Sequence, residues 1–321
     1  VARSPRHAQA RLALAALMLE AAIGYPGMLL RLAPHPVAAP AWAIDALERR
    51  WNRPGRSDRA RRALGVATVA LVSGGAALAG LLAARMGRTG SGRRRKIGPA
   101  ALTLVATTGL AQRSLHDHVA AVLAPLERGD LAAARKALAR IVGRDIEGLD
   151  AGGVAAAALE SLAESFNDGV VAPVVWLAAA GPAGLFAYKA VNTADSLIGH
   201  KEPRWRHFGW AAARTDDVLN LLPARLAGGL IALAGGEGWR IMLRDAPKHA
   251  SPNAGWPEAA MAGALGVSLG GPALYDGVLT PRPRFGDGPA PTAAHLRRGL
   301  GLYRRACGLL WLAMGAFAWA R

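Results

Sequence analysis

The chain has 321 residues, 52% of them hydrophobic but only 6% aromatic, and carries a formal net charge of +17 from 39 Lys and Arg against 22 Asp and Glu. Apolar residues that are mostly Ala, Leu, Gly and Val fill a large soluble core poorly and suit close helix packing in a bilayer. The basic residues stand in blocks between apolar runs, 49–62 and 85–96, with no nucleic-acid motif and no interleaved aromatics, which argues against a nucleic-acid partner and for anionic lipid headgroups.

In chain order, Arg3, Arg6 and Arg11 precede an apolar run over residues 12–32, as in a signal peptide. Glu20 interrupts that run and no small-residue cleavage site follows, so it reads as mature sequence. Residues 64–84 are uncharged and flanked by arginines on both sides, so positive-inside counting leaves the orientation open. A shorter run covers 97–111. Over 112–152, Leu126, Leu131, Ala134, Leu138 and Ile141 recur at helical spacing among Arg128, Arg135, Lys136, Arg140 and Arg144. This predicts an amphipathic helix or helix pair on the membrane surface or a soluble face, ended by Gly143 and Gly148.

The run 170–191 is broken by Gly181-Pro182 and again by Gly184, with Pro173 near its start. Two half-helices forming a re-entrant hairpin are expected, because irregular backbone at membrane depth is tolerated where protein buries it. Further runs cover 219–235, interrupted by Arg225, then 259–275 and 300–320. The last holds the single cysteine, Cys307, which excludes an intramolecular disulfide or a multi-cysteine metal centre, and Trp311 and Trp319 as interface anchors. Residues 281–291 read as a Pro/Gly loop, and no strand alternation persists. The expected fold is all-α: one polytopic membrane helical bundle over 1–321 with re-entrant or broken helices and an amphipathic surface segment.

Four polar clusters lie within this apolar frame. Glu160, Glu164, Asn167 and Asp168 share one face of a helix, and carboxylates so close suit a hard divalent cation such as Mg²⁺. Lys189, Asn192 and Ser196, with Asp195 alongside, put a cation where it can hold a phosphate or snorkel to headgroups. Arg214, Asp216, Asp217 and Asn220 repeat the acidic logic, or form the acidic first turn of a helix. Between Arg244 and Ala259, Arg244, Lys248 and His249 offer cations and Ser251, Asn253 and Glu258 offer oxygens, in a loop stiffened by Pro247, Pro252 and Pro257. No Walker-type phosphate loop is present.

These clusters in this order resemble the adenosylcobinamide-phosphate synthase family of cobalamin biosynthesis (CbiB/CobD). The pieces that carry the resemblance are IVGRDIEGLD at 141–150, ESLAESFNDGVVAP at 160–173, AYKAVNTADSLIGHK at 187–201, ARTDDVLNLLPARL at 213–226 and HASPNAGWPEAAMAGALGVSLGGP at 249–272. One departure is Gly24-Tyr25-Pro26, where family members carry Gly-Asp-Pro ahead of a His-Pro-Val that is kept here as His35-Pro36-Val37.

The resemblance implies an integral protein of the cell membrane that uses ATP to join aminopropanol, or its O-phosphate, to a propionate of the corrinoid adenosylcobyric acid, with the active site facing the cytoplasm. On that reading Glu160, Glu164, Asp168, Asp216 and Asp217 hold Mg²⁺ with ATP. Lys189, Asn192, Arg214, Lys248, Ser251 and Asn253 bind phosphate groups. Lys189, Asp195, Arg214, His249 and Glu258 are the candidate catalytic residues, with His249 or Glu258 taking the proton of the attacking ammonium. Trp205, Trp210 and Trp256 either stack on the corrin or anchor at the interface. The competing readings are a Mg²⁺-dependent membrane prenyltransferase and a non-catalytic platform or transporter serving other corrin-pathway enzymes.

Overall fold

A computed structural model describes residues 5–24, 38–88 and 93–320. Tyr25 and His35-Pro36-Val37 lie outside the described residues, as does the end of the 12–32 run. The helices are α1 Pro5–Ile23, α2 Ala38–Trp51, α3 Asp58–Arg88, α4 Arg93–Thr107, α5 Gln112–Glu127, α6 Leu131–Leu138, α7 Ala151–Phe166, α8 Ala172–Ile198, α9 Trp210–Gly235, α10 Trp239–Asp245, α11 Gly255–Leu265 and α12 Ala293–Trp319. A π-helical turn, Asn167–Val171, joins α7 to α8. The chain divides into two compact units: Val1–Ala111, Ala172–Leu219 and Met314–Arg321 form the first, and Gln112–Val171 with Asn220–Ala313 the second.

In the first unit the core gathers Ile44, Val69, Val72, Val191, Ile198 and Phe208. Buried Glu48 is held there by a two-toothed Arg204 contact at 2.9 Å on each oxygen and by Asn52 at 3.0 Å. Helix α8 is not straight. Gly181 adopts φ 67° and ψ −159°, outside helical geometry, immediately before Pro182. A Cβ at Gly184 would lie 2.5 Å from the Trp176 carbonyl oxygen, eight residues back. In a continuous helix those residues would be separated by roughly 12 Å along the axis, so the chain bends sharply at Gly181. The turn is seated on α3, where a Cβ at Gly80 would come 2.4 Å from the Pro182 oxygen. Thus the expected break in 170–191 is present.

In the second unit the amphipathic segment is a helix pair, α5 and α6, turned by Gly129 at φ 76°. It ends at Leu138, before Gly143, where the Arg140 and Ile141 amides donate to the carbonyls three residues back, of Ala137 and Leu138. Asp130 caps α6 and Asp150 caps α7, each side chain accepting the amide three residues on, at 2.9 and 2.7 Å, contributions of about 1 kcal/mol apiece. Phe166 meets Tyr303 edge-on at 5.5 Å, and the Tyr303 hydroxyl donates to the Gln112 carbonyl at 2.7 Å.

The 259–275 run does not form a long helix. Helix α11 has 11 residues, about half of what a bilayer needs, and Gly266 at φ 68° ends it by donating to the Ala262 and Gly263 carbonyls. Two short antiparallel ladders follow, correcting the all-α expectation locally: β1 Leu269–Gly270 with β4 Arg284–Phe285, and β2 Ala273–Tyr275 with β3 Val278–Thr280. The second turns through Asp276-Gly277, both at positive φ, the backbone that tight hairpins prefer.

Among the described residues, three stretches are long and apolar enough to cross a membrane: Asp58–Gly87, Ala151–Ile198 and Trp210–Gly235. The second is interrupted by the π turn and by the bend at Gly181. Leu71, Leu78, Leu81 and Leu82 on α3, and Leu221, Leu222, Leu226 and Leu233 on α9, are exposed, as lipid-facing residues would be.

Candidate functional site

In the second unit, the end of α7, the start of α11 and the segment after β3 converge on a buried group of charges. Glu160, 2% exposed, accepts Arg144 Nη2 at 2.5 Å and Arg282 Nη1 at 3.0 Å on one oxygen, and the Gly270 N–H at 2.8 Å on the other. The β1–β4 ladder and the hairpin set the position of that amide and of Arg282. The second nitrogen of Arg282 lies 3.5 Å from Glu258 Oε2, and His249 Nε2 lies 3.9 Å from Glu258 Oε1.

Glu258 is 1% exposed, and its Oε2 has no hydrogen-bond partner. Burial, then the neighbouring Glu164 and Glu160 carboxylates, push its pKa well above the usual 4.5, outweighing Arg282 and Arg144. His249 is held below its ordinary 6.5, first by burial and also by Arg282. Its Nδ1 accepts the Ser251 N–H at 2.9 Å, which leaves the proton of the neutral ring on Nε2, facing Glu258.

Ser251 itself accepts the Asn253 and Ala254 amides at 3.2 and 3.3 Å, organising the entry to α11. Asn253 Oδ1 accepts Arg225 Nη1 at 3.2 Å. Lys248 donates to Asp245 at 2.6 Å, and Arg244 bridges Asp245 and Asp287.

Further along α7 the π turn carries Asn167 and Asp168 off strict α-helical register, a distortion often found at functional sites. Asn167 Nδ2 donates to Asp168 Oδ1 at 2.7 Å and to Asn220 Oδ1 at 2.9 Å, while its own Oδ1 is buried without a partner. Glu164, one turn after Glu160, is exposed.

In the first unit, Lys189 Nζ donates to Asn192 Oδ1 at 3.2 Å and Asn192 Nδ2 to Asp216 Oδ1 at 3.3 Å, linking α8 to α9. Asp195 follows on α8, half-buried. Arg214 Nη1 donates to Asp217 at 3.3 Å. Each singled-out tryptophan carries a guanidinium on its ring: Arg204 on Trp205 at 5.2 Å, Arg62 on Trp210 at 5.0 Å and Arg225 on Trp256 at 4.6 Å.

The metal reading can be set against this donor set. Among the described residues, no three His, Cys, Asp or Glu side chains are grouped so as to hold a metal ion, and Glu160 is occupied by two guanidiniums and an amide. Glu164 and Asp168, and separately Asp216 and Asp217, remain hard oxygen donors of the kind Mg²⁺ takes one or two at a time, with water and phosphate completing its shell. Sequence reasoning missed Arg282, which sits in the stretch read as a loop, and took Arg144 for a cation of the amphipathic face. The run Pro281-Arg282-Pro283-Arg284, two rigidly spaced cations in an otherwise apolar region, was the available signal.

The family model described as CobD/Cbib protein matches residues 13–303. A Rhodobacter capsulatus protein named Cobalamin biosynthesis protein CobD is 47% identical over 307 residues, covering 94% of this chain and 95% of its own length. Proteins of the same name from Rhizobium meliloti strain 1021 and Geobacter metallireducens are each 42% identical, over 320 and 293 residues, covering 94% and 89% of this chain and 95% and 89% of theirs. No solved structure matches. With relatives this similar over nearly its whole length, the chain belongs to the CobD/Cbib family.

Proposed function

We propose that this protein acts in cobalamin biosynthesis as the amide-forming synthase that joins aminopropanol or aminopropanol phosphate to a propionate of adenosylcobyric acid. The observation that carries the chemistry is Glu258, a buried carboxylate with one oxygen free of hydrogen bonds, beside His249 and Arg282. Amide formation needs an acceptor for the proton that the attacking ammonium loses. A carboxylate whose pKa is raised by burial is a stronger base than a solvated one. His249, protonated on Nε2, faces Oε1 and leaves Oε2 to take that proton. Arg282 and Arg144 together offset Glu160 and an ionised Glu258, so the carboxylate that takes the proton starts from a charge-balanced group.

ATP, with Mg²⁺ on Glu164 and Asp168 or on Asp216 and Asp217, would supply the group that activates the propionate carboxyl. Lys189, held by Asn192, with Arg214, is suited to a phosphate on the first unit, and Lys248 to one on the second. Helices α3 and α9, with their exposed leucines, would lie in the cell membrane, with the site on the cytoplasmic side where ATP is available. The two arms of α8, on either side of Gly181, would then form a re-entrant pair.

The test is turnover by detergent-purified protein given adenosylcobyric acid, ATP, Mg²⁺ and either amine, with the corrin product read by mass spectrometry. An ATP-dependent amide product is expected, and the better amine identifies the substrate. Absence of product from folded protein with both amines would overturn the proposal.

A further inference from the structure

The second unit contains a recess of about 790 Å³, within the size range of ligand sites, and it shares no residue with the Glu258 group. Arg298, Arg304 and Arg305 of α12 line it, and no Asp or Glu does. Gly301 keeps the helix surface between the arginines free of side-chain bulk. Gly235 and Leu265, the last residues of α9 and α11, form the opposite side.

Exposed arginines are ordinary in so basic a chain, but these three differ from their neighbour. Arg297 is paired with Glu127 at 2.6 Å, whereas no ion pair or side-chain hydrogen bond engages Arg298, Arg304 or Arg305 among the described residues. Two helix carboxyl ends do face them. Each contributes about half a negative charge, so the three guanidiniums keep an excess of about two positive charges. That excess matches a phosphate group. Gly235 also ends one of the helices able to cross a membrane, and basic recesses at such ends take anionic lipid headgroups.

We propose that this recess is a phosphate-binding site, taking the phosphate of an anionic phospholipid headgroup or of a soluble phosphate compound. The test uses the full chain in a neutral detergent, with Arg298→Gln/Arg305→Gln as the site variant and Arg297→Gln as the control. In one arm, phosphatidylglycerol and phosphatidylcholine are added and retained lipid is counted by native mass spectrometry. In the other, inorganic pyrophosphate is titrated against the thermal midpoint.

For a lipid source, wild type and the Arg297 variant retain phosphatidylglycerol about 10-fold better than phosphatidylcholine, and the double variant loses that preference. For a soluble source, pyrophosphate raises the midpoint of wild type and control but not of the double variant. If neither probe separates wild type from the double variant, the proposal is overturned.

Discussion

His249 Nε2 lies 3.9 Å from Glu258 Oε1, while the Nδ1 of the same ring is tied to the Ser251 amide at 2.9 Å. The backbone therefore sets the tautomer, and the tautomer presents an N–H to the carboxylate. A donor beside a carboxylate favours its ionised form. Replacing His249 with Ala should raise the pKa of Glu258 further, moving the acid limb of the kcat profile to higher pH with a loss of about 10-fold at neutral pH. An unmoved limb would assign His249 to packing alone. Because the folded-state pKa of His249 is depressed, its contribution to stability is present above the ordinary 6.5 and is lost as pH falls through the lower folded value. Thermal midpoints of wild type and the Ala variant should converge over that descent.

Arg282 and Arg144 together neutralise Glu160 in a buried position. Removing either leaves a buried carboxylate short of charge, a class of change that costs about 3–5 kcal/mol. Arg282→Ala should also cost activity beyond its stability loss, because the same side chain reaches Glu258. Denaturant unfolding and turnover measured on the same preparation separate the two effects.

Gly184 leaves no room for a side chain against the Trp176 carbonyl, and Gly80 leaves none against Pro182. Gly184→Val should push the two arms of α8 apart and Gly80→Val should push α3 off the bend, each at a cost of about 1–3 kcal/mol or more. Thermal midpoints in detergent check this, with Gly74→Val on α3, where the space is open, as the comparison.

Asp245 is buried and accepts from Arg244, Lys248 and the Gly286 amide. Arg244 first, then Lys248 and Gly286, hold its carboxyl well below the usual range against the effect of burial. A depressed folded pKa stabilises above the unfolded value, and that stability is lost only as pH falls through the folded one. Asp245→Asn should cost about 1–3 kcal/mol at neutral pH. The gap from wild type should narrow in strong acid, as followed by denaturant unfolding at several pH values.

Much of this was readable in the sequence where local chemistry decides it. Gly181-Pro182 cannot continue a helix, so the break in α8 was visible, and the spacing of Leu131, Ala134 and Leu138 marked α6. His249 and Glu258 stand out because a polar stretch stiffened by Pro247, Pro252 and Pro257 between apolar runs is more often a binding loop than a linker. Partnerships across long separations were not readable: Glu160 finds Arg282 after 122 residues and Gly270 after 110. The hairpin around Asp276-Gly277 was missed because strands of three residues are too short to show alternation. Gly270 and Gly271, inside the apolar run 259–275, take positive φ beside the ladder.

The central claim is that Glu258 accepts the proton in amide formation, and the pH dependence of that reaction in wild type and Glu258→Gln tests it most directly. Wild type should show an acid limb above the usual carboxylate range, in addition to the limb set by the amine itself. The variant should be about 10²–10⁴-fold slower, lack the enzyme's limb, and keep a thermal midpoint at pH 8 no lower than wild type, since a buried ionisation is removed. A folded Glu258→Gln protein with unimpaired turnover and an unchanged profile would contradict the account.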